Sequence, residues 1–266
     1  MIGLSLGIMS MLRSSFSPIS LFAASESGVW YDPSDLTTLF TDVAGTTPVT
    51  TAGQTVALML DKSGNGLHAT QATAAARPAY QTDGTYHWLA FDGVDDFLAT
   101  PTITPGIDKA QLFAGVRRET TGNIQAIWGT AGTATEGSMR VYLRFNSDTE
   151  IGSYTKGTGT GASVIVNPYA MLTKYVIEQS FDLAGATGSD ILPVTRINGA
   201  PGANATTPLN TPGGSYTPQV FYVGSVGTSF FMKCNLYSLI TRFGSNLTTP
   251  VIGNVETYVN SKTGAY

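Results

Sequence analysis

Two stretches of this chain read as β-strand and cannot be read as helix. In MRVYLRF, Met139, Val141, Leu143 and Phe145 fall on one side of an extended chain, and Arg140, Tyr142 and Arg144 on the other. KYVIEQSFD repeats the pattern, with Tyr175, Ile177, Gln179 and Phe181 opposing Val176, Glu178 and Ser180. Successive side chains alternate faces on a strand, whereas an amphipathic helix needs a period near 3.6. MRVYLRF is the cleaner case and predicts a strand buried on one face and solvated on the other.

The remaining apolar runs are short and bounded by turn residues. In His87–Thr100, HWLAFDGVDDFLAT, Trp88, Ala90 and Asp92 oppose Leu89 and Phe91, and Asp92-Gly93 then turns the chain into a second run from Phe97-Leu98. Val29–Tyr31, Val56–Leu60, Ala110–Arg117, Gln125–Trp128, Leu192–Ile197, Val220–Val223 and Phe230–Phe243 also read as strands. Asn198-Gly199 is a hairpin signal, and Lys156–Ala162, KGTGTGA, reads as a hairpin connection. Ser34-Asp35 before Leu36 suggests one capped helical turn. A longer helix is expected over Leu247–Lys262, where Val251, Val255, Tyr258 and Val259 share a face and Gly264 lies past the end.

Many short strands with one terminal helix predict an all-β fold, a two-sheet antiparallel jelly-roll sandwich. No linker or internal repeat divides the chain. The expected organisation is an N-terminal arm and attachment segment over 1–50, a jelly-roll domain over 51–246 and a C-terminal helix over 247–266 packed on the sandwich. The first residues, MIGLSLGIMSMLRSS, are apolar but place their one basic residue, Arg13, after the apolar part, unlike an export signal. Leu4–Leu12 is too short to span a bilayer. An arm this apolar predicts a docking site or a homo-oligomer.

Charge narrows the function classes. Only 12% of residues are charged, and 14 Lys and Arg against 18 Asp and Glu give a net charge of −4. No basic patch interleaves with aromatics, so nucleic acid is not an expected partner. The single cysteine, Cys234, sits in the apolar run FFMKCNLYSLI and predicts a buried thiol in a chain folded in a reducing compartment.

DKSGNGLHAT at 61–70 followed by LAFDGVDDFL at 89–98 resembles the laminin-G-like, or concanavalin A-like, jelly-roll superfamily. The later order is similar too: an Arg-x-Asn-Gly hairpin at Arg196, Asn198 and Gly199, then Tyr222–Gly224, then a long strand holding Leu236-Tyr237. GVWYDPSDLTTLFTDVAGTTPV at 28–49, ALMLDKSGNG at 57–66 and ETYVNSKTGAY at 256–266 resemble tailed-bacteriophage and prophage virion proteins. That resemblance implies a virion structural protein, a tail or head appendage made in a bacterial cytoplasm, with other virion proteins as partners through the arm. A lectin-like domain would contact host-surface carbohydrate.

Three sets of residues are candidates for chemistry. Trp30, Tyr31, Trp88 and Trp128 could stack on the apolar faces of sugar rings, or could be core aromatics. Asp92, Asp95 and Asp96 could hold calcium, or could accept backbone N–H groups in a turn; the loop lacks the longer ligand spacing of a known calcium loop, which favours the turn. Glu178 and Asp182 come nearest to a glycosidase acid set, but a third acid at the required spacing is missing. His68 reads as a turn residue and His87 as a strand-edge residue. Gly157–Gly161 neither follows an apolar strand nor opens a helix, so a dinucleotide site fails its context. The expectation is a non-enzymatic glycan-contacting structural protein; the alternatives are a carbohydrate-active hydrolase and a secreted bacterial adhesin.

Overall fold

The computed structural model describes residues 16–131, 137–144, 148, 150–156, 163–165, 170–183, 194–202 and 213–266. The expected arm up to residue 15, the 157–162 connection and residues 203–212 of the Thr/Asn/Gly-rich loop lie outside the described residues.

In chain order the strands are β1 (Ser27–Tyr31), β2 (Leu39–Phe40), β3 (Leu58–Met59), β4 (Ala69–Thr70), β5 (Ala79–Thr82), β6 (His87–Asp92), β7 (Leu98–Ile103), β8 (Lys109–Arg118) and β9 (Gln125–Thr130). They continue with β10 (Met139–Arg144), β11 (Ile151–Thr155), β12 (Ser163–Ile165), β13 (Lys174–Asp182), β14 (Val194–Ile197), β15 (Ala200–Pro201), β16 (Gln219–Val223) and β17 (Lys233–Phe243), and helix α1 spans Thr249–Thr263. They form two antiparallel sheets. The first runs β15-β14-β13-β8-β17-β6-β5, with β1 also on β17, and the second runs β12-β11-β10-β9-β16-β7-β4-β3-β2. The fold is a two-sheet β-sandwich with a C-terminal helix. β1 and β2, within the segment expected to be arm, are hydrogen-bonded strands of the two sheets. No described helix is long and apolar enough to cross a membrane, which says nothing of strands.

β17 is the spine of the first sheet. One edge pairs along its length with β8; the other takes β6 against Lys233–Leu236 and then β1 against Leu239–Phe243. Between the sheets, Trp128 stacks on Phe221 at 4.9 Å, and Phe221 meets Phe243 of the opposite sheet at 5.6 Å. Burial of such rings supplies most of the driving force for closing the sandwich. The outer face of the first sheet carries a second apolar layer: Trp30, Phe113, Val176 and Ile240 lie under Leu21, Phe22, Val255 and Val259. Gly115 of β8 lets α1 approach, because a Cβ there would collide with Thr263. α1 ends at Gly264 in the left-handed conformation (φ 64°), whose N–H returns to the Asn260 carbonyl at 2.7 Å.

Two expectations are corrected. MRVYLRF is not half-solvated: Arg140 and Tyr142 are buried on the second face as well, where Tyr142 packs with Ala126 and Val226 and meets Phe230 edge-on at 6.0 Å. The expected Val56–Leu60 strand is confined to Leu58–Met59. In addition, Asp92-Gly93 does not close a hairpin. It carries the chain from β6 in one sheet to β7 in the other. Asn198 (φ 50°) and Gly199 (φ 76°) do close the β14–β15 hairpin.

Glu178 faces α1 from β13 and is fully buried. One carboxylate oxygen takes the Ser180 hydroxyl and the other has no partner. Its cross-strand neighbour Arg196 gives its guanidinium to Glu256 of α1 at 2.8 and 3.0 Å. Burial raises the Glu178 carboxyl from its ordinary 4.5 to about 7. A raised acid pKa favours the protonated fold, so this stabilisation is complete below pH 4.5 and is lost as pH rises through about 7. Glu178→Gln is therefore expected to remove roughly 1–3 kcal/mol of that decline, read as the urea midpoint at pH 5 against pH 8. Equal slopes for both proteins would refute it.

Candidate functional site

The segments that carry the virion resemblance meet around Asp32, at the end of β1. The Asp32 carboxylate accepts from Ser34 Oγ (2.6 Å) and Tyr258 OH (2.9 Å) and pairs with Lys262 (3.2 Å) and Lys62 (3.4 Å). Burial alone would raise its pKa, but the Ser34 hydrogen bond and the two ammonium groups outweigh that and hold it below the ordinary range. Lys62 also pairs with Asp35 at 2.7 Å and lies 4.7 Å over the Trp30 ring. The neighbouring turn is organised by Asp61, which accepts from the backbone N–H groups of Trp30, Ser63 and Leu67. Asn65 Nδ2 and Ser63 Oγ reach the Gly28 carbonyl. His68 Nδ1 accepts from Asp61 N at 3.0 Å, as a turn residue should. These motifs are a staple that joins β1, the 61–68 turn and α1.

The structure does not gather the four candidate aromatics. Trp128 and Tyr31 are wholly buried between the sheets, so neither offers a stacking face. Trp30 is 8% exposed, covered by Lys62 and by the Tyr258 ring edge-on at 5.7 Å. Trp88 alone is half-buried, on the outer face of the first sheet, tilted against Tyr237 at 5.6 Å. Asp92, Asp95 and Asp96 do come together, each offering an oxygen within 4.8 Å of the others. Asp92 Oδ1 takes Val94 N (2.8 Å) and Asp95 N (3.4 Å), and Asp96 Oδ2 takes Asp92 N (2.9 Å). The cluster is built as a turn. Burial, then the charges of Asp92 and Asp95, push the Asp96 carboxyl up to about 6.

That turn borders a cleft at one end of the sandwich. An outer depression of about 440 Å³ is lined by Gly93, Val94, Asn123, Ile124, Phe230 and Phe231. An inner one of about 160 Å³ shares Gly93, Asn123 and Phe231 with it and reaches Asp92, Thr121 and Lys233. Phe230 is 37% exposed and holds φ 58°, a left-handed backbone that bulky residues rarely adopt. Its carbonyl accepts from Ala126 N at 2.9 Å, which fixes the backbone. The cleft thus presents an aromatic edge, an amide at Asn123, a hydroxyl at Thr121, carboxylates and one ammonium. It can cover an apolar surface while bonding hydroxyl groups around it. Sequence reading missed Phe230 and Phe231 by assigning them to a strand; the structure begins β17 only at Lys233. A larger depression of about 610 Å³ is lined by Phe40, Val43, Leu58, His68, Thr100 and Pro101, and His68 there accepts from Asp61 N through Nδ1.

Asp32→Ala is expected to cost roughly 2–3 kcal/mol by taking the shared anion from two half-buried ammonium groups, of which Lys62 keeps Asp35, and from the Tyr258 hydroxyl, read as the midpoint of chemical unfolding. A cost under about 1 kcal/mol would show the staple to be dispensable.

No protein-family model matches this chain, and a comparison with curated proteins finds no match. Solved structures share its fold. Domain 4 of AbnA, a GH43 extracellular arabinanase from Geobacillus stearothermophilus, in complex with arabinotriose, superposes with a TM-score of 0.56 at 12% identity, over 87% of this chain and 98% of that domain. The receptor-binding domain of botulinum neurotoxin type G gives 0.54 at 11% identity, over 75% of this chain and 48% of that one. A botulinum neurotoxin type C structure, described as dependent on two ganglioside molecules for cell entry, gives 0.55 at 8% identity, over 88% and 51%. The chain spans about half the length of the neurotoxin domains it matches. At these identities the likeness is one of fold.

Proposed function

We propose that this chain is a non-enzymatic structural protein of a tailed-phage virion, a tail or head appendage that displays a lectin-like sandwich and contacts host-surface glycan. The observation that carries the glycan reading is the tip cleft, where a solvent-facing aromatic held by its backbone stands among hydrogen-bonding groups from three loops. Two relatives in fold support it, one solved with arabinotriose and one described with gangliosides. The virion assignment rests on the resemblance of residues 28–49, 57–66 and 256–266. Against hydrolysis stands the placing of Glu178, the acid a glycosidase reading would use, which is sealed beneath α1. Attachment to other virion proteins and self-association belong to the apolar N-terminal arm.

A glycan array and a reducing-sugar assay on the same preparation test the binding reading. Binding is expected without sugar release, and Phe230→Ala should weaken it about tenfold by removing the stacking ring while leaving the thermal midpoint nearly unchanged. Sugar release would favour the hydrolase alternative. Mass spectrometry of purified particles tests the virion assignment, and absence from particles would turn attention to the adhesin alternative.

A further inference from the structure

We infer that the glycan site is a track rather than a single cleft, running from the tip across the outer face of the second sheet, and that it holds a linear oligosaccharide along its length. The inference rests on the glycan-binding reading above and names the ligand class of that site.

Register in the second sheet lays out the track. Tyr222 of β16 lies opposite Ala99 of β7, Ala99 opposite Thr70 of β4, Thr70 opposite Leu58 of β3, and Leu58 opposite Phe40 of β2. These residues form one rung across five strands. Their chain neighbours Phe221, Leu98, Ala69, Met59 and Leu39 pack between the sheets, so alternation puts the whole rung on the outer face. Four strand spacings separate its ends, about 19 Å. A ring stands at each end, and alanine and threonine lie between. Small residues flanked by large ones leave a hollow, which here is the depression of about 610 Å³. From Tyr222 the track continues to the tip through rings: Phe97 lies 5.6 Å from Tyr222 and 6.4 Å from Phe231, which lines both tip depressions. The two hollows are thus joined by a run of half-buried aromatics.

The chemistry along the track suits a sugar chain. Tyr222, Phe97 and Phe40 each leave part of a ring open to solvent, which can cover the apolar C–H face of a sugar unit. His68 lines the depression, and its Nδ1 accepts from Asp61 N at 3.0 Å, so the ring proton sits on Nε2 and makes that nitrogen a donor. The Thr70 hydroxyl beside it can donate or accept. No Asp, Glu, Lys or Arg is among the described residues lining this depression, so its occupant needs no counter-charge. A protein partner fits less well. A specific interface covers about 800 Å² of each partner, whereas a single rung of half-buried side chains with a recessed middle offers a furrow. A terminal sugar would fill the tip and leave the rest of the track empty.

The experiment measures binding of the full chain to ladders of linear oligosaccharides, from monosaccharide to octasaccharide, cut from a glucan, a galactan, an arabinan and a rhamnose-rich O-chain. The wild type is expected to gain about tenfold in affinity between the disaccharide and the hexasaccharide of the ladder it binds, through the further ring contacts. Phe230→Ala should weaken short and long members alike. Tyr222→Ala should erase the gain from length. Val43→Arg, at a position lining the depression that is 49% exposed, should erase it too, and gives an independent reading if loss of the Tyr222 ring unsettles the sheet. Equal affinity for disaccharide and hexasaccharide, a gain unmoved by both variants, or binding on the glycan array but to no ladder overturns the inference and leaves glycan binding at the tip standing. An oligomer that Tyr222→Ala dissociates in sedimentation, with the gain from length intact, would make the rung a contact between copies and overturns it as well. Binding to no ladder and to nothing on the array overturns both readings.

Discussion

The carboxylate of Asp32 is shared by groups from three distant parts of the chain: Ser34 beside it, Lys62 in the 61–68 turn, and Tyr258 and Lys262 on the terminal helix. A charge taken out of water costs several kcal/mol unless partners replace its hydration. Here four partners do: Ser34 is local, Lys62 reaches Asp32 only when the turn is in place, and Tyr258 and Lys262 only when α1 is. With Asp35 counted, two carboxylates face two ammonium groups, so the assembly is neutral as a unit. The cluster ties the end of β1 to the turn and the helix with Ser27 opposite Phe243 and Tyr31 opposite Leu239.

That register matters because β1 lies on β17. Gly28 is the point of closest approach: a Cβ there would strike the Thr241 carbonyl, and its φ of 140° suits glycine alone. The Asp61 turn bonds the same segment from the other side, through Trp30 N and the Gly28 carbonyl. Once β1 is seated, Trp30 joins Ile240 and Phe113 in the apolar strip that α1 covers. The staple, the close glycine contact and the helix layer therefore stabilise one another, and the tip at the far end of β17 inherits a rigid base.

What the sequence revealed was local. Strand alternation, the Asn198-Gly199 hairpin, the Asp35 cap on the 36–38 turn and the Gly264 stop on α1 depend on residues a few positions apart, and the structure reproduces them. Its silences concern pairings across the chain. Tyr142 is buried because the 226–230 segment folds over it, which no pattern within MRVYLRF could disclose. Trp128 and Trp88 look alike as strand aromatics, yet one faces the other sheet and one lies half-buried on an outer face, since strand parity does not say which face is inward. The cleft joins residues near 93, 123 and 231, and only the sheet order brings β6, β9 and β17 to a common end.

Phe230 reaches the surface through its backbone. Val226 and Ser229 bond each other at 2.8 and 3.1 Å to close a tight loop, and Met232 N returns to the Gly224 carbonyl at 2.9 Å. Between these anchors the chain must reverse direction, and Phe230 does so at φ 58°. Such a conformation costs a bulky residue about 1–3 kcal/mol, which the anchoring hydrogen bonds offset. A glycine at this position would remove the strain but leave the cleft without its ring. Because the loop is already fixed, a ligand need not order it, and less binding energy is lost to conformational entropy. For the glycan contact proposed above, a single phenyl ring on a sugar face gains most from this arrangement, since the ordering cost is met during folding, by the same hydrogen bonds that close the connection between β16 and β17.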